Sequence, residues 1–145
     1  MKVIIMRGLP GAGKSTFVKK NYPDAVICSA DKYFINKHGE YKFDPGLIGE
    51  AHIHCLQTFL YFITTLKEKL IVIDNTNVTT TEWIPYYRIA ETMGYSCEII
   101  EVFADPKICV ERNIHGVPKS TIDNMARKWQ PVPKWIKNVE KVNND

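Results

Sequence analysis

The sequence predicts an α/β protein in which a parallel sheet is covered by helices on both faces. Three observations carry that prediction. Short apolar runs recur at Val3–Arg7, Ala25–Ser29, Leu70–Asp74 and roughly Cys97–Ala104. Each is continuous rather than alternating, as a strand buried on both faces requires. Each is followed by a turn or helix signal, the alternation that builds a parallel sheet.

The 145 residues fit one domain. With 45% hydrophobic and 24% charged residues the chain is globular rather than disordered. The net charge of +3 is too small to announce a nucleic-acid binder. Its distribution is uneven: residues 1–104 hold 11 basic and 11 acidic groups, and residues 105–145 hold 8 and 5. No apolar run approaches the length of a membrane span, so no membrane partner is expected. Cys28, Cys55, Cys97 and Cys109 are widely spaced, as reduced core thiols in a cytoplasmic setting would be.

The helices follow in order. The first runs from about Lys14 to Lys20 and ends at Tyr22-Pro23. The second spans roughly Pro45–Leu66, with Asp44 as N-cap and an apolar stripe at Ile48, Ala51, Cys55, Phe59, Phe62 and Leu66. The third runs from about Thr80 to Met93 and stops at Gly94; Pro85 inside it predicts a kink or a later start. The fourth opens at Asp105-Pro106 and ends near Asn113, and the fifth lies between Pro118 and Pro131. Residues 1–130 are read as the domain, with a lid over about 112–130, and residues 131–145 as a loose tail.

The strongest motif follows the first strand: Gly8, Leu9, Pro10, Gly11, Ala12, Gly13, Lys14 and Ser15, then Thr16. Gly, four residues, then Gly-Lys-Ser is the phosphate-binding loop pattern. Its glycines let backbone N–H groups converge on a phosphate, and the next helix adds the positive end of its dipole. Lys14 is expected on the β- and γ-phosphates and Ser15 on Mg²⁺. The implied ligand is a nucleoside triphosphate, ATP or another, on a P-loop NTPase fold with three α/β/α layers.

Ligands of such sheets bind beyond the carboxyl ends of the strands. The second strand ends in Ser29-Ala30-Asp31, the third in Asp74-Asn75-Thr76-Asn77. Asp31 is read as the base that accepts a proton from an attacking hydroxyl, with a turn cap as the alternative. Asp74 is read as a second Mg²⁺ group through water, or else as a turn aspartate. Thr76 and Asn77 either bond substrate or position the loop. Arg112 is the candidate for the transferring phosphoryl, joined by His115 or Lys119; the alternative is a pairing with its helix C-terminus. His52 and His54 point about 200° apart on a helix and cannot share an ion; His52 is expected to pack with Ile48 and Leu56. Trp83, Tyr86 and Tyr87 are read as packing rather than as a base-stacking surface.

Four segments carry a resemblance: Arg7–Thr16, Ser29-Ala30-Asp31-Lys32-Tyr33, Asp74-Asn75-Thr76-Asn77 and Glu111–Pro118. In this order they resemble the P-loop kinase superfamily and, within it, the 5′-hydroxyl polynucleotide kinase-like group. The last two are shared most closely with an ATP-binding branch found in animal ubiquitin-ligase-binding proteins and in viruses. The resemblance implies a sheet of about four strands ordered 2-3-1-4, a helical lid, Asp31 as general base and Arg112 as lid arginine. It implies an ATP-dependent phosphotransferase whose favoured acceptor is a 5′-hydroxyl RNA or DNA end. A nucleoside or sugar kinase and an ATP-binding module with little catalysis are the alternatives. Phe34 stands where RNA-repair kinases carry an arginine, Asn75 where they carry aspartate, and a second lid arginine falls near Gly116. A monomer or a small homo-oligomer is compatible with the sequence.

Overall fold

The computed structural model describes residues 1–145. Five parallel strands form one sheet: β1 (Lys2–Arg7), β2 (Val26–Cys28), β3 (Leu70–Asp74), β4 (Ser96–Phe103) and β5 (Val139–Asn143), in the order β2-β3-β1-β4-β5. The expected order of the first four is met, and the fifth corrects the loose tail predicted for residues 131–145. In β5 only Val139 and Val142 are half-buried, one against each core layer, while Glu140, Lys141 and Asn143 are exposed, so the polar composition of this edge conceals a strand. Ile99 to Phe103 pair with Val139 to Asn143 in register.

Five helices cover the faces: α1 (Lys14–Asn21), α2 (Ile48–Leu60), α3 (Thr80–Thr92), α4 (Pro106–Arg112) and α5 (Lys119–Lys128). A 3₁₀ turn at Pro45–Leu47, capped by the Asp44 carboxylate on the Gly46 amide, leads into α2. A π turn over Tyr61–Leu66 ends that helix at Lys67, which is left-handed. Pro85 does not delay α3. It faces solvent, as does Thr81 one turn earlier, so the carbonyl it leaves unpaired can be hydrated.

Side chains alternate along β1 and divide the core in two. Val3 and Ile5 face α2 and α3 among Phe59, Ile63, Ile73, Trp83 and Ile99. Ile4 and Met6 face the other layer with Val18, Ile100, Cys109 and Ile122. Full burial of each such aliphatic side chain stabilises by about 1.5–3 kcal/mol, so both layers hold the sheet firmly. Trp83 and Tyr86 are core, as expected, whereas His52 is exposed rather than packed. No helix is long and apolar enough to cross a membrane. The rigid sheet brings the residues after β1, β2 and β3 to one edge, where the candidate groups meet.

Candidate active site

The loop between β1 and α1 is shaped by its backbone. Gly11 and Gly13 have φ of 83° and 102°, values that L side chains rarely adopt. A Cβ on Gly11 would strike the Cys109 carbonyl, and one on Gly13 would strike the Asn144 side chain. The amides of Gly11, Gly13, Lys14, Ser15 and Thr16 find no partner within the chain. They form a cradle of free donors at a helix N-terminus, which fits a phosphate chain.

Lys14 donates to the Gly8 and Leu9 carbonyls at 2.9 and 3.1 Å, which holds its ammonium over the loop. Burial pushes its pKa down, while the charges of Asp74 and then Asp31 pull it up. The two acids therefore lie within electrostatic reach of the same lysine. Ser15 donates its hydroxyl proton to Asp74 Oδ2 at 2.8 Å. A hydroxyl beside a carboxylate is an all-oxygen donor set suited to Mg²⁺.

Asp31 lies in a 3₁₀ turn over Ala30–Phe34, exposed, one strand further out. Two bonds set that turn. Ser29 Oγ accepts from the Asp31 amide at 3.2 Å, and Asn75 Oδ1 accepts from the Ala30 amide at 2.8 Å. Asn75, buried at the end of β3, thus locks the Asp31 turn to the central sheet. The Asp31 carboxylate receives a long hydrogen bond from the Tyr41 hydroxyl (3.4 Å) and has His115 Nε2 at 3.8 Å. Burial and the Asp31 charge push the Tyr41 hydroxyl up to about 12, so it stays a donor.

Asn77 ties the chain after β3 to β1. It is 2% exposed and left-handed, and its amide donates to the Met6 carbonyl at 2.8 Å. Thr76 takes the Gly8 amide on its carbonyl at 3.1 Å, another tie to the loop. Arg112, exposed at the end of α4, donates to the Asn144 carbonyl at 2.7 Å. Asn144 in turn donates from its amide to the Ala12 carbonyl at 2.8 Å, so the segment predicted as tail joins the end of α4 to the phosphate loop. His115 sits at Asp31 rather than over the loop, and Lys119 pairs with Asp123 at 2.6 Å.

Arg7 matters more than a strand residue should. It is fully buried directly before Gly8. Its guanidinium donates to Glu101 Oε2 (2.6 Å) and to the carbonyls of Asn77 (2.7 Å), Val78 (3.0 Å) and Gln130 (2.6 Å). It lies 4.1 Å from the Trp129 ring centroid and 5.6 Å from that of Trp83. Burial lowers the Arg7 pKa and raises that of Glu101, and each partner's charge opposes the shift. The cluster binds the phosphate loop to β4, the β3–α3 connection and the chain after α5. A charge at the end of an apolar strand was the available signal. An apolar cavity of about 240 Å³ beside Gly8, Leu9, Phe103 and Trp129 has neither Asp31 nor Asp74 in its lining, so it is distinct from the acidic edge.

A five-stranded parallel sheet whose first strand runs through this loop into a helix is a P-loop fold. The family model described as AAA domain matches residues 3–131, and the chain belongs to that family. It is similar to NEDD4-binding protein 2 of Homo sapiens, with 37% identity over 136 residues that cover 88% of this chain and 8% of that protein. The chain spans only 8–12% of the length of the curated relatives it matches. The fold is shared with Chaetomium thermophilum Kti12 in complex with ADP-AlF3, at a TM-score of 0.68 and 14% identity over 99% of this chain and 89% of that one. It is also shared with a chain of the Pnkp1/Rnl/Hen1 RNA repair complex, at 0.65 and 16% over 92% and 48%.

Proposed function

We propose that this domain transfers the γ-phosphoryl group of ATP to a hydroxyl, with a 5′-hydroxyl polynucleotide end as the favoured acceptor. The observation that carries the proposal is the cradle of unpaired loop amides under Lys14, with the Ser15–Asp74 contact at the end of β3 and the Asp31 turn tied to the neighbouring strand end by Asn75. On this reading Asp31 is a proton acceptor beside a phosphate cradle. The loop amides and Lys14 bind the triphosphate and offset its charge. Mg²⁺, when bound, would neutralise phosphate oxygens, and Ser15 and Asp74 are the residues that would hold it. Asp31 accepts the proton of the attacking hydroxyl while the new O–P bond forms and the bond to ADP breaks. Arg112, anchored beside the loop by Asn144, stabilises charge on the transferring group.

A second acceptor class has its own support. Residues 30–54 around Asp31 carry three lysines against four carboxylates, which suits a small uncharged alcohol such as a nucleoside. The deciding experiment incubates the protein with γ-labelled ATP and a panel of 5′-hydroxyl oligonucleotides, nucleosides and sugars. The proposal expects label at oligonucleotide 5′ ends, with acceptor affinity falling as salt rises. Label on small alcohols alone, with salt-independent affinity, establishes the second class. ATP binding without transfer to any acceptor overturns both in favour of a binding module.

A further inference from the structure

Beyond Asp31 the chain folds back on itself. Ile35 and Tyr41 form an antiparallel bridge, the Lys42 amide donates to the Phe34 carbonyl at 2.8 Å, and the Asn36 side chain accepts the amides of His38 and Glu40. This hairpin displays aromatic rings on the buried base of Phe34. The Phe34 centroid lies 6.2 Å from Tyr41 and 5.1 Å from Phe43, and the planes of Tyr41 and Phe43 are within 6° of parallel. The lid loop adds His115, whose ring is 4.3 Å from Tyr41. Phe43 nevertheless leaves 49% of its surface in water. The rings and the carboxylate are one unit, because Tyr41 and His115 both reach Asp31.

We propose that Tyr41 and Phe43, with His115 packed on Tyr41 and Phe43 the open ring, form a shelf that stacks the nucleobase next to the accepting hydroxyl. The acceptor is thereby a single-stranded nucleotide end or a nucleoside, not a sugar or an aliphatic alcohol. This rests on Asp31 being the acceptor end of the proposed phosphotransferase. Three features support it. Flat apolar rings beside an acid match a ligand with a π face and a hydroxyl. Three lysines against four carboxylates in residues 30–54 make stacking the main contact this segment offers the first base, and the salt dependence of an oligonucleotide then comes from phosphates further along the strand. His115 comes from the lid, so a stacked base bridges lid and hairpin.

The test uses a short 5′-hydroxyl oligodeoxynucleotide with 2-aminopurine at its 5′ terminus, and a matched strand whose first nucleotide is abasic. Both are titrated into the ATP-bound protein, with affinity for the dark strand read by competition. The shelf predicts quenching of 2-aminopurine and about tenfold or greater weakening for the abasic strand. It predicts a comparable loss in Phe43→Leu at unchanged Tm, and retention of binding in Tyr41→Phe, which keeps the ring. Competition by free nucleoside at similar affinity supports the shelf and identifies a nucleoside-sized acceptor. Equal affinity for both strands, or for wild type and Phe43→Leu, overturns it. So does a concentration-dependent dimer that Phe43→Leu abolishes while no quenching occurs. These are binding readouts: base-dependent binding without transfer leaves the shelf standing and sinks the phosphotransferase reading, and transfer indifferent to the base does the reverse.

Discussion

The two sides of the site are built by different means. Around residues 8–16 the backbone shapes the site: left-handed glycines, unpaired amides and a helix N-terminus make a cradle that few side chains could improve. Around Asp31 side chains shape it, on an exposed turn held by Ser29 and Asn75 and flanked by Tyr41 and His115. The first kind leaves little freedom for variation, since a methyl group at Gly11 collides with the Cys109 carbonyl. The second is adjustable ring by ring, as the proposed acceptor side requires. A fixed donor side and a tunable acceptor side predict that changes on each have separable consequences.

The largest separation is expected at Arg112. Arg112→Ala lowers single-turnover transfer by about a thousandfold or more while ATP affinity changes far less. Equal rates would remove the arginine from the site. Arg7 sharpens the contrast from below, since it anchors the cradle without touching it. Arg7→Met strands Glu101 in the interior and destabilises by about 3–5 kcal/mol in urea unfolding. Replacing Glu101 as well recovers the part owed to the stranded carboxylate, though not the bonds to the Asn77, Val78 and Gln130 carbonyls, and a double variant as weak as the single one refutes the pairing.

Lys14→Met lowers transfer by about 10²–10³-fold, a donor-side loss that also weakens ATP binding. Its Tm holds or rises, because burial already disfavours the Lys14 charge. The smallest effect is on pH. The folded Lys14 has its pKa lowered from 10.5, so it loses its proton before an unfolded lysine does. Across that window the unfolded chain binds the extra proton, so this group's contribution to stability rises with pH while ATP affinity falls. Calorimetric titration at successive pH values checks the decline, which Lys14→Arg should postpone; a decline identical in both variants assigns it elsewhere.

The contrast also explains what could be read in the sequence. Residues 8–16 form the site with local geometry, and local geometry leaves a fixed spacing in the chain. Strands β1, β3 and β4 announce themselves because both faces are buried. Strand β5 is half wet, and nothing in Val139–Asn143 demands a sheet until β4 offers an edge. Arg7 acts through partners 70 to 123 residues away, which no spacing encodes. Tyr41 and His115 meet Asp31 only because the hairpin and the turn after α4 come to the same strand end. The Asn77 amide, legible as either a substrate group or a loop tie, donates to the Met6 carbonyl of β1, a partner that no spacing in the chain announces.

The central claim is that donor binding and acceptor activation sit on opposite sides of the loop. It is tested most directly by measuring ATP affinity and phosphoryl transfer to a 5′-hydroxyl oligonucleotide in Asp31→Asn. The account predicts unchanged ATP affinity and transfer slowed by about 10²–10⁴-fold. Normal transfer, or a loss of ATP binding that accounts for the slower rate, would contradict it.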